Sequence, residues 1–293
     1  MIEINNICKN IDNIVILDNL SIKINKGSIF GLVGTNGAGK TTLIKCIMGI
    51  WNPDSGNIKL NDIETSISPL FRQYTAYVSD EINIPGSYTV AESKKLYKLA
   101  FDKFDENYFD EINELFKIPM DSRVRDLSKG MGSKLSIMLN LSFKPDYLIM
   151  DEPLSGLDPI SRKETVKLLF SDASNRGTTI LISSHNLSDI ERFCDTFAIL
   201  DEGKIRFTDT IDEVKNKIRK IQAVFPNGVP SNIEKLEDIT NISISGRVVR
   251  FITSNYNDVM TGQLTSLGAS LVETIDTSLD EIFFHVMEGS KNE

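Results

Sequence analysis

Only two histidines and three cysteines occur in 293 residues, and their scarcity narrows the chemistry at once. Cys8, Cys46 and Cys194 lie far apart with no CxxC pairing, and there is little histidine to complete a metal site with them. Such thiols suit a reducing compartment. Positive charge is also short: 32 Lys and Arg stand against 41 Asp and Glu, leaving a net charge of -9. A surface of that sign is not built to neutralise many phosphates, so nucleic acid is not expected as a partner. No apolar run approaches the roughly 18 residues that cross a bilayer. The start Met1-Ile2-Glu3-Ile4-Asn5 has no cationic stretch ahead of an apolar one, so no secretory signal is expected. Any membrane role would have to come through a partner.

What remains is ordinary for a globular chain: 41% hydrophobic and 25% charged residues, and enough length for one large α/β domain and a smaller one. Alternation in Ile2 to Ile7 and again at Leu20, Ile22 and Ile24 predicts short strands of an antiparallel sheet, separated by the polar stretch Lys9 to Asn13. The buried-strand pattern Ile29, Phe30, Leu32, Val33 leads through a glycine-rich loop into a helical run from Lys40 to about Ile50. Residues 84–143 read as a helical insertion, with capping-box spacing in Thr89-Val90-Ala91-Glu92 and with Phe109, Ile112, Leu115 and Phe116 on one face. Strands are predicted at Tyr147 to Met150 and Thr179 to Ser183, each followed by a helix, at Arg162 to Phe170 and Leu187 to Phe193. Strand and helix in alternation imply a mainly parallel sheet.

After about residue 217 the pattern changes. Strand candidates lie near Ile221 to Phe225, Ile242 to Ile244, Val248 to Ile252 and Leu271 to Ile275, with Pro226, Gly228 and Pro230 as punctuation. The chain is therefore divided into residues 1–217 and a small α+β domain over 218–293. In that domain Ser278-Leu279-Asp280-Glu281 has capping-box spacing ahead of a terminal helix whose Leu279, Ile282, Phe283 and Val286 share a face. His285 reads as a surface residue of that helix, not a ligand.

Gly34-Thr35-Asn36-Gly37-Ala38-Gly39-Lys40-Thr41 fits GxxxxGK[ST], and it stands between a strand and a helix as that pattern requires. Glycines let backbone N–H groups turn toward phosphate oxygens, and the following helix, with Thr42 in its first turn, adds its positive end. Lys40 is expected on the terminal phosphates and the Thr41 hydroxyl on Mg²⁺. Leu148-Ile149-Met150-Asp151-Glu152-Pro153 puts two carboxylates at the end of an apolar strand, where a parallel sheet places its ligand. In-line phosphoryl transfer uses such a pair: Asp151 for Mg²⁺ and Glu152 to polarise the attacking water. Ile180-Leu181-Ile182-Ser183-Ser184-His185 ends another strand on a histidine, a candidate contact to the γ-phosphate. Leu127-Ser128-Lys129-Gly130-Met131 precedes a helical run, and on its own Ser128 would be a simple cap.

The order of phosphate loop, LSKGM, LIMDEP, Leu154-Ser155-Gly156-Leu157-Asp158 and His185 resembles the ATPase subunits of ATP-binding-cassette (ABC) transporters over residues 1 to about 217. The resemblance implies a P-loop NTPase fold with an N-terminal antiparallel sheet and a helical insertion, ATP and Mg²⁺ as cofactors, and ATP hydrolysis by Glu152 with His185. It implies that two such chains, identical or not, sandwich two nucleotides. Ser128 and Gly130 would then act on the partner's ATP, with Asp158 also at the nucleotide interface. A separately encoded transmembrane permease would hold the chain at the cytoplasmic face of the membrane.

Three departures stand out. Lys129 and Met131 replace a glycine and the final glutamine of LSGGQ, a variant associated with exporters of the bacitracin, sodium or multidrug type. Asp80, in Ala76-Tyr77-Val78-Ser79-Asp80-Glu81, stands where the family carries a glutamine that contacts Mg²⁺ and the lytic water, so Asp80 is expected at the metal and the reaction. Ile11 stands where many members stack an aromatic ring on adenine. A non-transport ABC-type ATPase acting on DNA or ribosomes would carry long heptad arms or two cassettes, and neither is seen. A nucleotide-dependent regulatory module with little hydrolysis is the other alternative, which Glu152 and His185 argue against.

Overall fold

The alternating apolar residues at the N-terminus pair as one long hairpin, β1 (Ile2–Ile11) with β2 (Ile14–Ile24). It turns at Asp12 and Asn13, both at positive φ, the conformation that suits a two-residue hairpin loop. Lys9 and Asn10 continue the pairing opposite Leu17 and Val15, so most of the polar stretch expected to separate two strands is itself strand. A computed structural model describes residues 1–233, 236 and 238–289. The remaining positions of the expected C-terminal domain lie outside the described residues.

After the hairpin come β3 (Ile29–Val33), α1 (Lys40–Ile47), β4 (Ser55–Leu60), β5 (Ile63–Glu64) and β6 (Thr75–Val78). Then follow α2 (Val90–Ala100), α3 (Glu106–Phe116), α4 (Lys129–Ser142), β7 (Tyr147–Asp151), α5 (Pro159–Arg176) and β8 (Thr179–Ser184). Next are α6 (Leu187–Phe193), β9 (Thr196–Asp201), β10 (Lys204–Thr210) and α7 (Ile211–Lys217). The chain ends with β11 (Arg219–Val224), β12 (Ile239–Ser245), β13 (Val248–Thr253), α8 (Asp258–Ser266), β14 (Leu271–Ile275) and α9 (Leu279–Gly289). The chain divides into two compact units, Met1–Asn186 with Phe193–Ile205, and Leu187–Arg192 with Arg206–Glu293. The sequence pattern changes only after about residue 217, because α7 continues the preceding alternation.

In the first unit an antiparallel sheet of order β2-β1-β4-β5 faces a larger sheet that runs β9-β3-β8-β7-β6 in parallel register, with β10 beginning at its edge. Helix α1 lies in the core between them: Leu43, Ile44, Cys46 and Ile47 pack with Ile4, Leu17 and Leu20 from one sheet and Leu32, Ile149 and Leu181 from the other. Burial of that many aliphatic side chains, at about 1.5–3 kcal/mol each, holds the helix and the loop before it in place.

Helices α2 to α4 form the expected insertion. Thr89 and Glu92 close the capping box at the start of α2. On α3 Phe109, Ile112 and Phe116 are buried, but Leu115 is exposed, since its turn angle carries it off the narrow stripe shared by the other three. Strand β9, not expected from sequence, is the short apolar run Phe197 to Leu200, buried on both faces and so without alternation.

The second unit is a four-stranded antiparallel sheet of order β12-β13-β11-β14. Its core gathers Ile221, Phe225, Val249 and Phe251 with Met260 and Leu264 of α8. Ser278 and Glu281 cap α9 reciprocally, Leu279 and Ile282 are fully buried, and the helix packs on β12 and β13. His285 is half-buried and hydrogen-bonded to Thr240 at 2.6 Å, so the surface expectation for it is corrected.

Gly203, in the β9–β10 turn, ties this fold to the phosphate loop by donating to the Ala38 carbonyl at 3.1 Å. It holds φ 76°, and a Cβ there would lie 2.4 Å from the Ile16 carbonyl oxygen. Gly203→Ala is expected to cost about 2 kcal/mol or more, from left-handed strain plus overpacking. Thermal unfolding checks this, with a fall of roughly 5 °C in Tm expected and an unchanged Tm contradicting it.

Candidate active site

Parallel register brings the functional loops to one edge of the sheet. Val33 pairs with Ser184, Asp151 with Ser183 and Met150 with Val78, so the chain leaves β3, β6, β7 and β8 at the same level. That level is where an open α/β sheet binds its ligand. A cavity of about 400 Å³ opens there. Thr35, Asn36, Gly37, Gly39 and Lys40 to Thr42 form one wall, and Asp80, Asp151 and Glu152 the other. Its apolar contribution is Ile16 of β2; Ile11, at the hairpin tip, is not among the lining residues.

The loop is shaped for anions. Gly39 caps α1 at φ 109° with no side-chain acceptor on the first-turn amides and no acidic residue among them, leaving those N–H groups to a ligand. Gly34 and Ala38 sit behind the loop: a Cβ on Gly34 would lie 2.3 Å from the Leu200 carbonyl oxygen, and Ala38 is buried. The Lys40 ammonium, 7% exposed, donates to the Gly34 carbonyl at 2.8 Å and the Thr35 carbonyl at 3.3 Å.

Across the cavity, Glu152 is held from two sides. Its Oε1 lies 3.6 Å from Lys40 Nζ and its Oε2 is 2.9 Å from His185 Nδ1. A carboxylate only accepts, so Nδ1 of the imidazole carries the proton. Glu152 adopts φ 49°, an uncommon conformation for a side chain of that length and one that concentrates at functional sites. Asp151 is 2% exposed and accepts from the Ser183 hydroxyl at 2.5 Å. The same hydroxyl accepts from the Glu152 backbone N–H at 3.0 Å. Ser183 thus orients both carboxylates. Sequence reading passed it over as one residue of a strand, although its place beside the last residue of β7 was available from the parallel register. The field of these carboxylates is visible on Tyr77: burial first, then Asp151 and Asp80, push its phenol up to about 12.

Ser128, Gly130 and Asp158 lie apart from the cavity lining. Ser128 caps α4 by accepting from Met131 N–H at 3.3 Å. Gly130 packs on the neighbouring loop so tightly that a Cβ would lie 2.7 Å from the Gly156 carbonyl oxygen. Asp158 caps α5, accepting from the Ile160 and Ser161 amides and the Ser161 hydroxyl. Those bonds, the Ser161 hydroxyl first, hold its carboxyl down at about 2. Asp80 reaches the cavity, but its carboxylate is paired with Lys129 at 2.8 Å.

The Ser183 geometry makes a testable statement. Ser183→Ala leaves buried Asp151 short of a donor and frees the Glu152 amide, at a cost of about 1–3 kcal/mol. Turnover should fall with stability, because the two carboxylates lose their common anchor. An alanine variant with wild-type melting and turnover would contradict the anchoring role.

Residues 17–155 match the family described as ABC transporter. The chain is 30% identical over 291 residues to the ABC transporter ATP-binding protein YtrB of Bacillus subtilis (strain 168), covering 99% of both chains. It is 34% identical over 209 residues to the bacitracin transport ATP-binding protein BcrA of Bacillus licheniformis, covering 70% of this chain and 68% of that one. Among solved structures, an ATP-binding subunit of an ABC transporter superposes with a TM-score of 0.68 at 27% identity, over 74% of this chain and 92% of that one. With the phosphate loop, the Asp151–Glu152 pair and His185 assembled at one sheet edge, the chain belongs to the ABC transporter family as an ATP-binding, ATP-hydrolysing subunit.

Proposed function

We propose that the chain is the motor of an exporter, closing as a dimer on ATP and driving a separate transmembrane subunit from the cytoplasmic face of a membrane. The observation that carries the catalytic part is Glu152 held between Lys40 and His185 at the end of β7. In this reading Lys40 and the first-turn amides of α1 bind the terminal phosphates, while Glu152 orients the attacking water and takes its proton. His185 keeps Glu152 at that post and is assigned the contact to the γ-phosphate.

The donors here suit Mg²⁺: the Thr41 hydroxyl and the Asp151 carboxylate are hard oxygen ligands. Among the described residues no group of three or more His, Cys, Asp or Glu could hold a metal alone, so nucleotide phosphates and water would complete the shell. When bound, the ion neutralises charge on the phosphates. Asp80 would join that shell through the carboxylate oxygen that does not pair with Lys129.

The dimer reading is supported by Ser128 and Gly130, which are not among the residues lining the chain's own cavity and are assigned to the partner's nucleotide. Ser155 to Asp158 adjoins it and is assigned to the same interface. The exporter direction rests on the LSKGM variant. Among the described residues no helix is long and apolar enough to cross a membrane, which supports a separate membrane subunit.

Glu152→Gln should bind ATP yet turn over at least about 100-fold more slowly, accumulating as a closed dimer on gel filtration with ATP and Mg²⁺. Wild-type turnover would remove Glu152 from its role. Lys40→Ala should weaken ATP binding by roughly tenfold or more through loss of a charge-assisted phosphate contact. An unchanged titration would oppose that assignment. Reconstitution with the co-purified membrane subunit in inside-out vesicles tests direction: ATP-driven accumulation supports export, and ATP-driven release opposes it.

A further inference from the structure

Two of the positions at which this chain departs from the family pattern, Asp80 and Lys129, are joined in the structure by a 2.8 Å ion pair. Asp80 belongs to the cavity wall opposite Lys40 and Thr41. Lys129 is the first residue of α4, where the helix dipole disfavours a cation and a nearby anion offsets that cost. Its stem lies along the loop after β7: Cγ and Cδ are 3.5 Å from where a Cβ of Gly156 would be. That contact steers the ammonium toward Asp80.

We propose that Lys129 is a positioning and charge-compensating residue for Asp80, which makes a carboxylate tolerable at a place facing the nucleotide's phosphates. Lys40, Lys129, Asp80, Asp151 and Glu152 together are three carboxylates against two cations, a single net negative charge. Loss of Lys129 alone doubles that negative charge and leaves Asp80 free to turn into the cavity, where it repels the triphosphate. Loss of both members restores the balance. Lys129 therefore acts on ATP through Asp80, not by touching phosphate itself. The proposal rests on the phosphate-loop reading of the cavity.

Its test is a double-mutant cycle on the full-length protein, with ATP binding followed by isothermal titration in EDTA, where hydrolysis does not intervene. Lys129→Met should weaken ATP binding by roughly fivefold at low salt, an effect that shrinks in 0.5 M NaCl. In the Asp80→Asn background the same substitution should change affinity by less than about twofold, because the exposed lysine then has nothing to compensate. Lys129→Arg should retain wild-type affinity. Equal losses in both backgrounds would mean that Lys129 contacts phosphate directly, in its own chain or a partner's, and would overturn the proposal. So would no loss in either. Both positions are half-exposed, so thermal melting of each variant should match wild type; a large drop would show a structural role instead. If the wild-type chain binds no ATP with or without Mg²⁺, the cavity assignment fails first, whereas ATP binding with a flat cycle removes only the role of Lys129.

Discussion

The hydrogen-bonded contact between Ser183 and Asp151 across the β7–β8 pair is the constraint on which the site depends. A buried carboxylate without a donor is costly, and the hydroxyl meets that need while holding the Glu152 amide. Once those two backbones are fixed, Glu152 can reach Lys40 on one side and His185 on the other. Shifting the β7–β8 register by one residue would set Asp151 opposite a different residue and break this arrangement. The strands that carry this register, Tyr147 to Met150 and Thr179 to Ile182, are buried throughout.

The helical insertion is attached to the first unit in two physically different ways. Tyr108 of α3 donates to Asp172 of α5 at 3.0 Å, and Arg176 pairs with the same carboxylate. Asp172 is 3% exposed, and burial raises its pKa while these partners oppose the rise. Removing either partner would leave a buried acid short of support, so this joint is stiff. At the cavity end the links are Lys129 to Asp80 and Lys134 to Asp158 at 3.6 Å, with exposed carboxylates in both. Exposed ion pairs contribute about 0–1 kcal/mol each, so these two links add little beside the close packing of Gly130 on the Gly156 carbonyl.

Much of this was legible in residue order. The phosphate loop, the two carboxylates after β7 and His185 after β8 are short local signals, each placed by an apolar strand before it. The strands of the second unit were also readable, because half-buried antiparallel strands alternate, and the Ser278–Glu281 box marked α9 as drawn. Strand β9 was missed because full burial removes alternation, and β4 and β5 because Ser55 to Asn57 and the two-residue Ile63–Glu64 carry little pattern. Leu115 lies outside the buried stripe because α3 buries a narrower face than its apolar spacing suggests.

The harder failures concern pairs. Asp80 and Lys129 were read separately, one as a substitute metal ligand and the other as a variant of a signature, since 49 positions separate them and no periodicity relates one to the other. Ile16 likewise carries no mark that distinguishes it from Ile11; only the β1–β2 register decides which isoleucine borders the cavity. A motif states which residue types a reaction needs, whereas the charge each of them carries into the reaction depends on neighbours set by folding. Two substitutions that look like independent losses against a family pattern can therefore be a single compensated change. The contact at 2.8 Å is the physical reason to treat Asp80 and Lys129 as one unit.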